Sequence, residues 1–334
     1  MGDRTRTINR PEHAFPAELA SLLTVAIWGT SFSFQKVALQ EFNVLGFIAL
    51  RYLSMLILGW CVLFVWQRRT GEAIAVKRGH WRALAVTGGL GYVLYIPLST
   101  VGLNYTTAFS NALLIATSPL FAALLLRALR LETIGLRHCL GMLLSLVGVV
   151  LFMVPALRSG GARGAGGGVA GDLVSLAGAF FFAAYTVTSK PLLSRYPLPV
   201  FMTYTLSLGT APVVVLLAPR IFAQDWTRID AAGWAAFAWT VVVPVYLAWT
   251  VWGWTVARIG VARSTLFMYL VPIIGGLTSW LLLGEGFGAV KIAGATLALA
   301  GLAVARRTAG DNPVRPPSAR PAGEPQPSVA YSDA

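Results

Sequence analysis

Ten stretches of this chain are apolar for long enough to cross a bilayer as helices, which limits the possible folds more than any motif does. A helix needs roughly 20 residues to span about 30 Å of hydrocarbon. The stretches run over 17–38, 42–66, 82–104, 108–130, 135–155, 171–192, 198–219, 231–254, 262–284 and 287–305. Of the 334 residues, 56% are hydrophobic and 12% charged. Soluble domains carry about 25% charged residues, so this surface is expected to face lipid. The expected fold class is an all-α polytopic membrane protein with ten transmembrane helices. The first stretch is followed at once by a second and reads as a retained signal anchor rather than a cleaved signal peptide.

The net charge of +13 lies in short clusters between apolar runs. No continuous basic face forms, which argues against nucleic acid as a partner. Membrane orientation explains the charge better, because Lys and Arg gather at cytoplasmic helix ends. With the N-terminus inside, nineteen of the 26 cations fall on inside segments, six on outside segments, and Arg51 lies within the second stretch. Both termini are therefore expected to be cytoplasmic. Cys61 and Cys139 lie in apolar stretches and read as small buried residues, with no metal-ligand spacing. The tail after Arg307, rich in Pro and polar residues, reads as disordered.

Laying residues 113–148 on 266–301, an offset of 153, pairs Pro119 with Pro272 and Glu132 with Glu285. It also pairs Gly135 with Gly288, Gly141 with Gly294 and Gly148 with Gly301. Proline, glutamate and glycine in one register are harder to produce by composition than leucine matches. An odd number of spans per half makes the second half enter the membrane in the opposite sense, an inverted repeat of the kind secondary transporters use. The expected organisation is an N-terminal tail (1–16), a first repeat (17–158), a Gly-rich linker (159–170), a second repeat (171–307) and a C-terminal tail (308–334).

Proline in a membrane helix frees a carbonyl and bends the axis, which is tolerated where neighbours or a cavity satisfy the freed group. Pro119 and Pro272 are thus hinge candidates, with packing adjustment as the competing reading. Glu132 and Glu285 mark helix exits on opposite faces and are candidates for gate-associated pairing, against simple interfacial anchoring. An intramembrane cation costs about 3 kcal/mol, so Arg51 is a candidate partner for a substrate carboxylate. Satisfaction of a neighbour's helix-end carbonyls is the alternative. Lys36 reads as structural, snorkelling to the outer boundary.

Side chains with an apolar body and a polar tip suit an amphipathic cavity. Trp28, Tyr92, Tyr95, Ser99, Asn111, Tyr185, Tyr204, Tyr246, Trp249 and Tyr269 are the pathway candidates, with Thr186 and Trp239 beside them. Interhelical packing explains Asn111 and Tyr269 equally well. Trp252 and Trp254 read as an interfacial belt. No carboxylate or histidine falls at mid-span, which favours facilitated diffusion or exchange over proton antiport. No nucleophilic triad, paired carboxylates or metal cluster shares one depth, so neither an enzyme nor a cofactor nor a metal is expected.

The motifs "AIWGTSFSFQK", "ALRYLSMLIL", "YTTAFSNALLIATSPLFAALL" and "ARSTLFMYLVPIIGGLTSWLLLGE" resemble helices one, two, four and nine of the EamA-type, ten-helix members of the drug/metabolite transporter superfamily. The resemblance covers residues 17–307. The sixth helix departs from it, with Phe182 and Ala183 where the first repeat has Trp28 and Gly29. The resemblance implies a carrier of a small-molecule substrate in a bacterial-type inner membrane, often an exporter of amino acids or related metabolites, by alternating access. Drug or nucleotide-sugar carriage, or a receptor or scaffold that binds without transport, remain alternatives. Monomer and homodimer both stay open.

Overall fold

The computed structural model describes residues 14–129, 136–158, 168–193, 195–248, 251–252, 255 and 267–310. Glu132, Trp249, Trp254 and most of the Gly-rich linker lie outside the described residues, as do the side chains of Pro119, Tyr246 and Tyr269.

The described residues are almost wholly helical. The first two helices are α1 (Ala14–Glu41) and α2 (Val44–Thr70). The third apolar stretch is composite: α3 (Trp81–Gly88), a π-helical segment (Gly89–Tyr95) and α4 (Ile96–Tyr105). The fourth is divided at Thr117 into α5 (Ala108–Ala116) and α6 (Ser118–Ala128). Then come α7 (Leu136–Arg158), α8 (Val169–Leu193), α9 (Leu198–Phe222) and α10 (Ala231–Val242), the last continuing as a π-helical segment (Val243–Leu247). A single 3-10 turn (Phe267–Tyr269) leads into α11 (Leu270–Leu283), and α12 (Ala289–Gly310) follows.

Six of these helical stretches are long and apolar enough to cross a membrane: Pro16–Glu41, Val44–Thr70, Arg78–Tyr105, Ala108–Ala128, Val169–Leu193 and Leu198–Phe222. Four shorter apolar helices accompany them, Leu140–Pro155, Ala231–Val245, Leu270–Leu283 and Ala289–Ala305. Their outward faces are apolar too: Leu216 is 77% exposed and Leu281 65%. A water-facing protein does not present such a surface at this scale, whereas lipid accepts it.

Local chemistry sets the helix ends. The Asn43 side chain accepts from the N–H groups of Leu45 and Gly46 to start α2, and Gly71, at φ 70°, closes it in the left-handed region. The Asp230 carboxylate accepts from Gly233 N–H at 2.8 Å to start α10. Both prolines of the repeat sit just after a break in the helix. Pro119 is in the first turn of α6, after Thr117, and Pro272 lies in the first turn of α11, after the 3-10 turn.

Helix α7 packs along α12, and α2 along α9. Helix α1 touches α10 and α11, while α8 touches α4, α5 and α6. Helix α3 meets α9, and α10 meets α2. Small residues allow the closest approaches. A Cβ at Gly141 would overlap the backbone of Ala305, and one at Gly148 that of Ala298. On the partner helix, a Cβ at Gly294 would overlap Phe152 and one at Gly301 would overlap Ser145. Contact between backbones replaces the hydrophobic drive that is missing between helices in lipid. The glycine pair Gly275–Gly276 serves a similar end, seating α11 against Ala112 and the Phe109 ring of α5.

Candidate functional site

The two π-helical segments are local solutions to proline chemistry. In each, an N–H reaches five residues back: Ile96 N–H to Gly91 O, and Ala248 N–H to Val243 O. This register leaves the Tyr92 carbonyl opposite the nitrogen of Pro97, which carries no hydrogen. The Tyr52 hydroxyl, from α2, donates to that carbonyl instead. Pro244 likewise cannot serve the Thr240 carbonyl four residues before it, and Arg51 Nη2 donates there at 3.3 Å. Trp28 Nε1 donates to the Pro244 carbonyl at 3.0 Å. Groups from α1 and α2 therefore satisfy the backbone that the irregular segments free.

Between these segments lies a cavity of about 450 Å³. Trp28, Ser31, Phe32 and Gln35 of α1 line it, with Arg51 and Met55 of α2. Tyr92, Tyr95, Ser99 and Thr100 contribute from the third stretch, Ser118 from α6, and Phe182, Tyr185 and Thr186 from α8. Met202, Pro244, Trp252, Met268 and Val271 close it from the C-terminal half. Tyr95 packs on Phe182 with ring centroids 4.7 Å apart, and Tyr92 meets Tyr185 edge-on at 6.1 Å. Trp28 and Trp252 are 5.3 Å apart. Such walls hold an aliphatic or aromatic body.

Of the sequence candidates, Trp28, Arg51, Tyr92, Tyr95, Ser99 and Tyr185 come together at this cavity. Asn111 and Tyr204 are not among its lining residues. Asn111 is fully buried, and its amide donates to Ser99 O at 2.9 Å and to Ser175 Oγ at 2.8 Å. Its Oδ1 accepts from Ser99 Oγ at 3.2 Å, so it braces α4 and α8 against α5. Tyr204 packs between Trp60 and Trp81, centroids 5.7 and 5.5 Å away, in a partly exposed aromatic cluster. Belt aromatics adopt such positions. Trp252, expected in an interfacial belt, is among the residues that line the cavity.

Gln35 is a lining residue that sequence reasoning missed. It is buried, and its Nε2 donates to Thr100 Oγ1 at 3.0 Å. A buried amide inside an apolar run was the signal available for it. Arg51 is the cation at the cavity wall, and its Nε is buried without a hydrogen-bond partner among the described residues.

A second polar cluster surrounds the turn between α4 and α5. Lys36 Nζ donates to the carbonyls of Leu103, Asn104 and Thr106, at 2.6, 3.2 and 2.7 Å. A cation at a helix C-terminus is favourably placed, and this one is structural. Glu285 accepts from the N–H groups of Ala108 and Phe109, at 2.8 and 3.3 Å, at the start of α5. Thr106 donates to buried Asp172 in the first turn of α8, and Lys291 donates to Thr107 Oγ1 at 3.4 Å.

The EamA-like transporter family model matches residues 15–154 and again 169–307. Among curated relatives, a "Probable terminal-alkyne amino-acid exporter" of Streptantibioticus cattleyicolor is 28% identical over 87% of this chain and 94% of its own length. An uncharacterized transporter of Bacillus subtilis is 26% identical over 79% of this chain and 82% of its own. A "Probable amino-acid metabolite efflux pump" of Salmonella typhimurium is 24% identical over 84% and 92%. A solved crystal structure superposes with a TM-score of 0.58 at 19% identity, covering 89% of this chain and 99% of that one, a likeness of fold. With its apolar multi-helix body and two matches that together span most of its length, this chain belongs to the EamA-like transporter family.

Proposed function

We propose that the protein is a secondary carrier that moves small amphipathic metabolites, amino acids or their relatives, outward through the inner membrane by alternating access. Ten helices cross the membrane as two inverted five-helix repeats, both termini are cytoplasmic, and the cavity between the repeats is the substrate site. The observation that carries this reading is the mixed origin of the cavity wall, with Trp28 and Arg51 from one half facing Phe182, Trp252 and Val271 from the other.

The contacts support the repeat. Exchanging α1 with α8, α2 with α9, the third stretch with α10, the fourth with α11 and α7 with α12 maps the main contacts onto one another: α1 on α11 with α8 on α5 and α6, α4 on α8 with α10 on α1, and α3 on α9 with α10 on α2. The offset of 153 places Val243–Leu247 on residues 90–94, inside the other π-helical segment. It also exchanges the Gly141–Ala305 approach with Gly294–Phe152, and Gly148–Ala298 with Gly301–Ser145. Two related halves around a midplane site give a carrier two interconvertible arrangements. Glu285 of the second half holds the start of α5 in the first, which supports a gate there. Irregular segments at matched positions support bending beside the substrate, and the positions of Pro119 and Pro272 in the first turns of α6 and α11 are compatible with a hinge role in the same motion.

Counterflow in proteoliposomes loaded with amino acids tests this reading. Saturable uptake of labelled aromatic or aliphatic amino acid above protein-free vesicles is the expected result. Folded, inserted protein that exchanges no small metabolite would refute it.

A further inference from the structure

Resting on the carrier reading above, we infer that the cavity selects net-anionic aromatic carboxylates over zwitterionic amino acids of the same shape, with Arg51 as the specificity-determining residue. Arg51 is the ionised side chain on the described wall, and no Asp or Glu lines it. One guanidinium nitrogen, Nη2, is engaged by the Thr240 carbonyl, and Nε is buried without a partner among the described residues. Tyr95 lies at the same wall. A guanidinium in an apolar enclosure is strongly stabilised by a carboxylate, which its planar donor fork matches.

Among the described residues an α-ammonium finds no equivalent host. It would need a carboxylate or several free carbonyls to replace its hydration. Three carbonyls that the irregular segments release already have donors. Tyr92 O takes the Tyr52 hydroxyl, Pro244 O takes Trp28 Nε1, and Thr240 O takes Arg51. The ring faces of Trp28 and Trp252 attract a cation, though in competition with the repulsion from Arg51 in the same low-dielectric space. Neutral hydroxyls such as that of Ser118 remain to solvate a hydroxyl or amide. The wall therefore matches an aromatic body with one carboxylate and an uncharged remainder.

Three probes of one shape separate the possibilities: 3-phenylpropionate, phenylalanine and phenylalaninamide, at a pH where the amide is cationic. Full-length protein in proteoliposomes is assayed by counterflow, and binding is read by quenching of tryptophan fluorescence, since Trp28 and Trp252 line the cavity. The expected order is 3-phenylpropionate tighter than phenylalanine by at least tenfold, and phenylalaninamide weakest. Arg51→Gln should erase the preference for the anion. Arg51→Lys, which keeps the cation and a donor for Thr240, should retain it with weaker binding, guarding against a folding defect in the neutral variant. Transport of phenylalanine without 3-phenylpropionate, or an anion preference that survives Arg51→Gln, overturns the inference and leaves the carrier reading standing. No flux of any probe, or of any other small metabolite, overturns both.

Discussion

Replacing Asn111 by alanine separates a brace from a binding group. The wild-type side chain makes three hydrogen bonds, to Ser99 Oγ, Ser99 O and Ser175 Oγ, and is fully buried. Interhelical hydrogen bonds in membrane proteins are worth about 0.6 kcal/mol each on average, with a maximum near 1.7. Three of them set the expected loss at about 2 kcal/mol, with a ceiling of about 5 kcal/mol if each is at the maximum. Ser175 Oγ keeps its bond to Gly171 O at 2.7 Å, so the partner left behind is not stranded. That favours the lower figure. The assay is reversible unfolding in mixed micelles, with a double-mutant cycle over Asn111→Ala and Ser175→Ala. A coupling energy of about 0.5–1.5 kcal/mol is expected for the shared bond. Counterflow KM should stay within about twofold, because this side chain is not among those lining the cavity. Stability unchanged to within about 0.5 kcal/mol, together with a KM raised tenfold, would refute the bracing role and restore Asn111 to the pathway.

Tyr52→Phe should remove the hydroxyl that donates to the Tyr92 carbonyl and cost about 0.5–1.5 kcal/mol in the same unfolding assay, whereas a neutral effect would mean that the π-helical segment relaxes to an ordinary helix. Gly148→Leu and its repeat mate Gly301→Leu should each force α7 from α12 and lower folded yield to a similar degree, and a harmless substitution at either position would contradict the close backbone contact. Glu285→Ala removes the acceptor at the start of α5 and should cost about 0.5–2 kcal/mol while changing the exchange rate more than substrate binding; an unaltered rate at equal abundance would exclude a gate role. Asp225, in the loop after α9, has its carboxyl held below the ordinary aspartate range by the Thr227 hydroxyl first, then the Thr227 N–H, with the Arg228 pair at 2.8 Å adding to it. A depressed carboxyl stabilises the loop fully above the unfolded pKa of about 4 and loses that contribution as pH falls through the lower folded value. Protection factors over Trp226–Arg228, the exchange rates normalised to the intrinsic rate at each pH, should therefore fall in acid in the wild type and stay level in Asp225→Asn.

The glycines of the repeat were legible as matches, and their purpose was not. Gly141, Gly148, Gly294 and Gly301 share a register in the sequence, yet nothing there says that α7 and α12 meet along them. The same holds for charge. Arg51 stood out because a cation inside an apolar run is costly, and the structure brings it to the cavity while also giving it the carbonyl-satisfying contact that competed as an explanation. Lys36 was legible as structural, though its carbonyl partners on α4 were not.

The helical character of the chain and the position of its apolar stretches were set by sequence alone, because lipid leaves backbone groups no partner except those within the helix. The same lipid removes the signal that distinguishes an inward face from an outward one. In water an amphipathic stripe marks the core, whereas here both sides of a helix are apolar and an aromatic residue suits either. Tyr204 and Trp252 show it: the first packs with Trp60 and Trp81, the second with Trp28 at the cavity. Which carbonyls the prolines release was implicit in the sequence, but their donors, Tyr52, Trp28 and Arg51, come from α1 and α2. Only helix packing could decide that, since a hydrogen bond depends on ångström distances between segments that lie far apart along the chain.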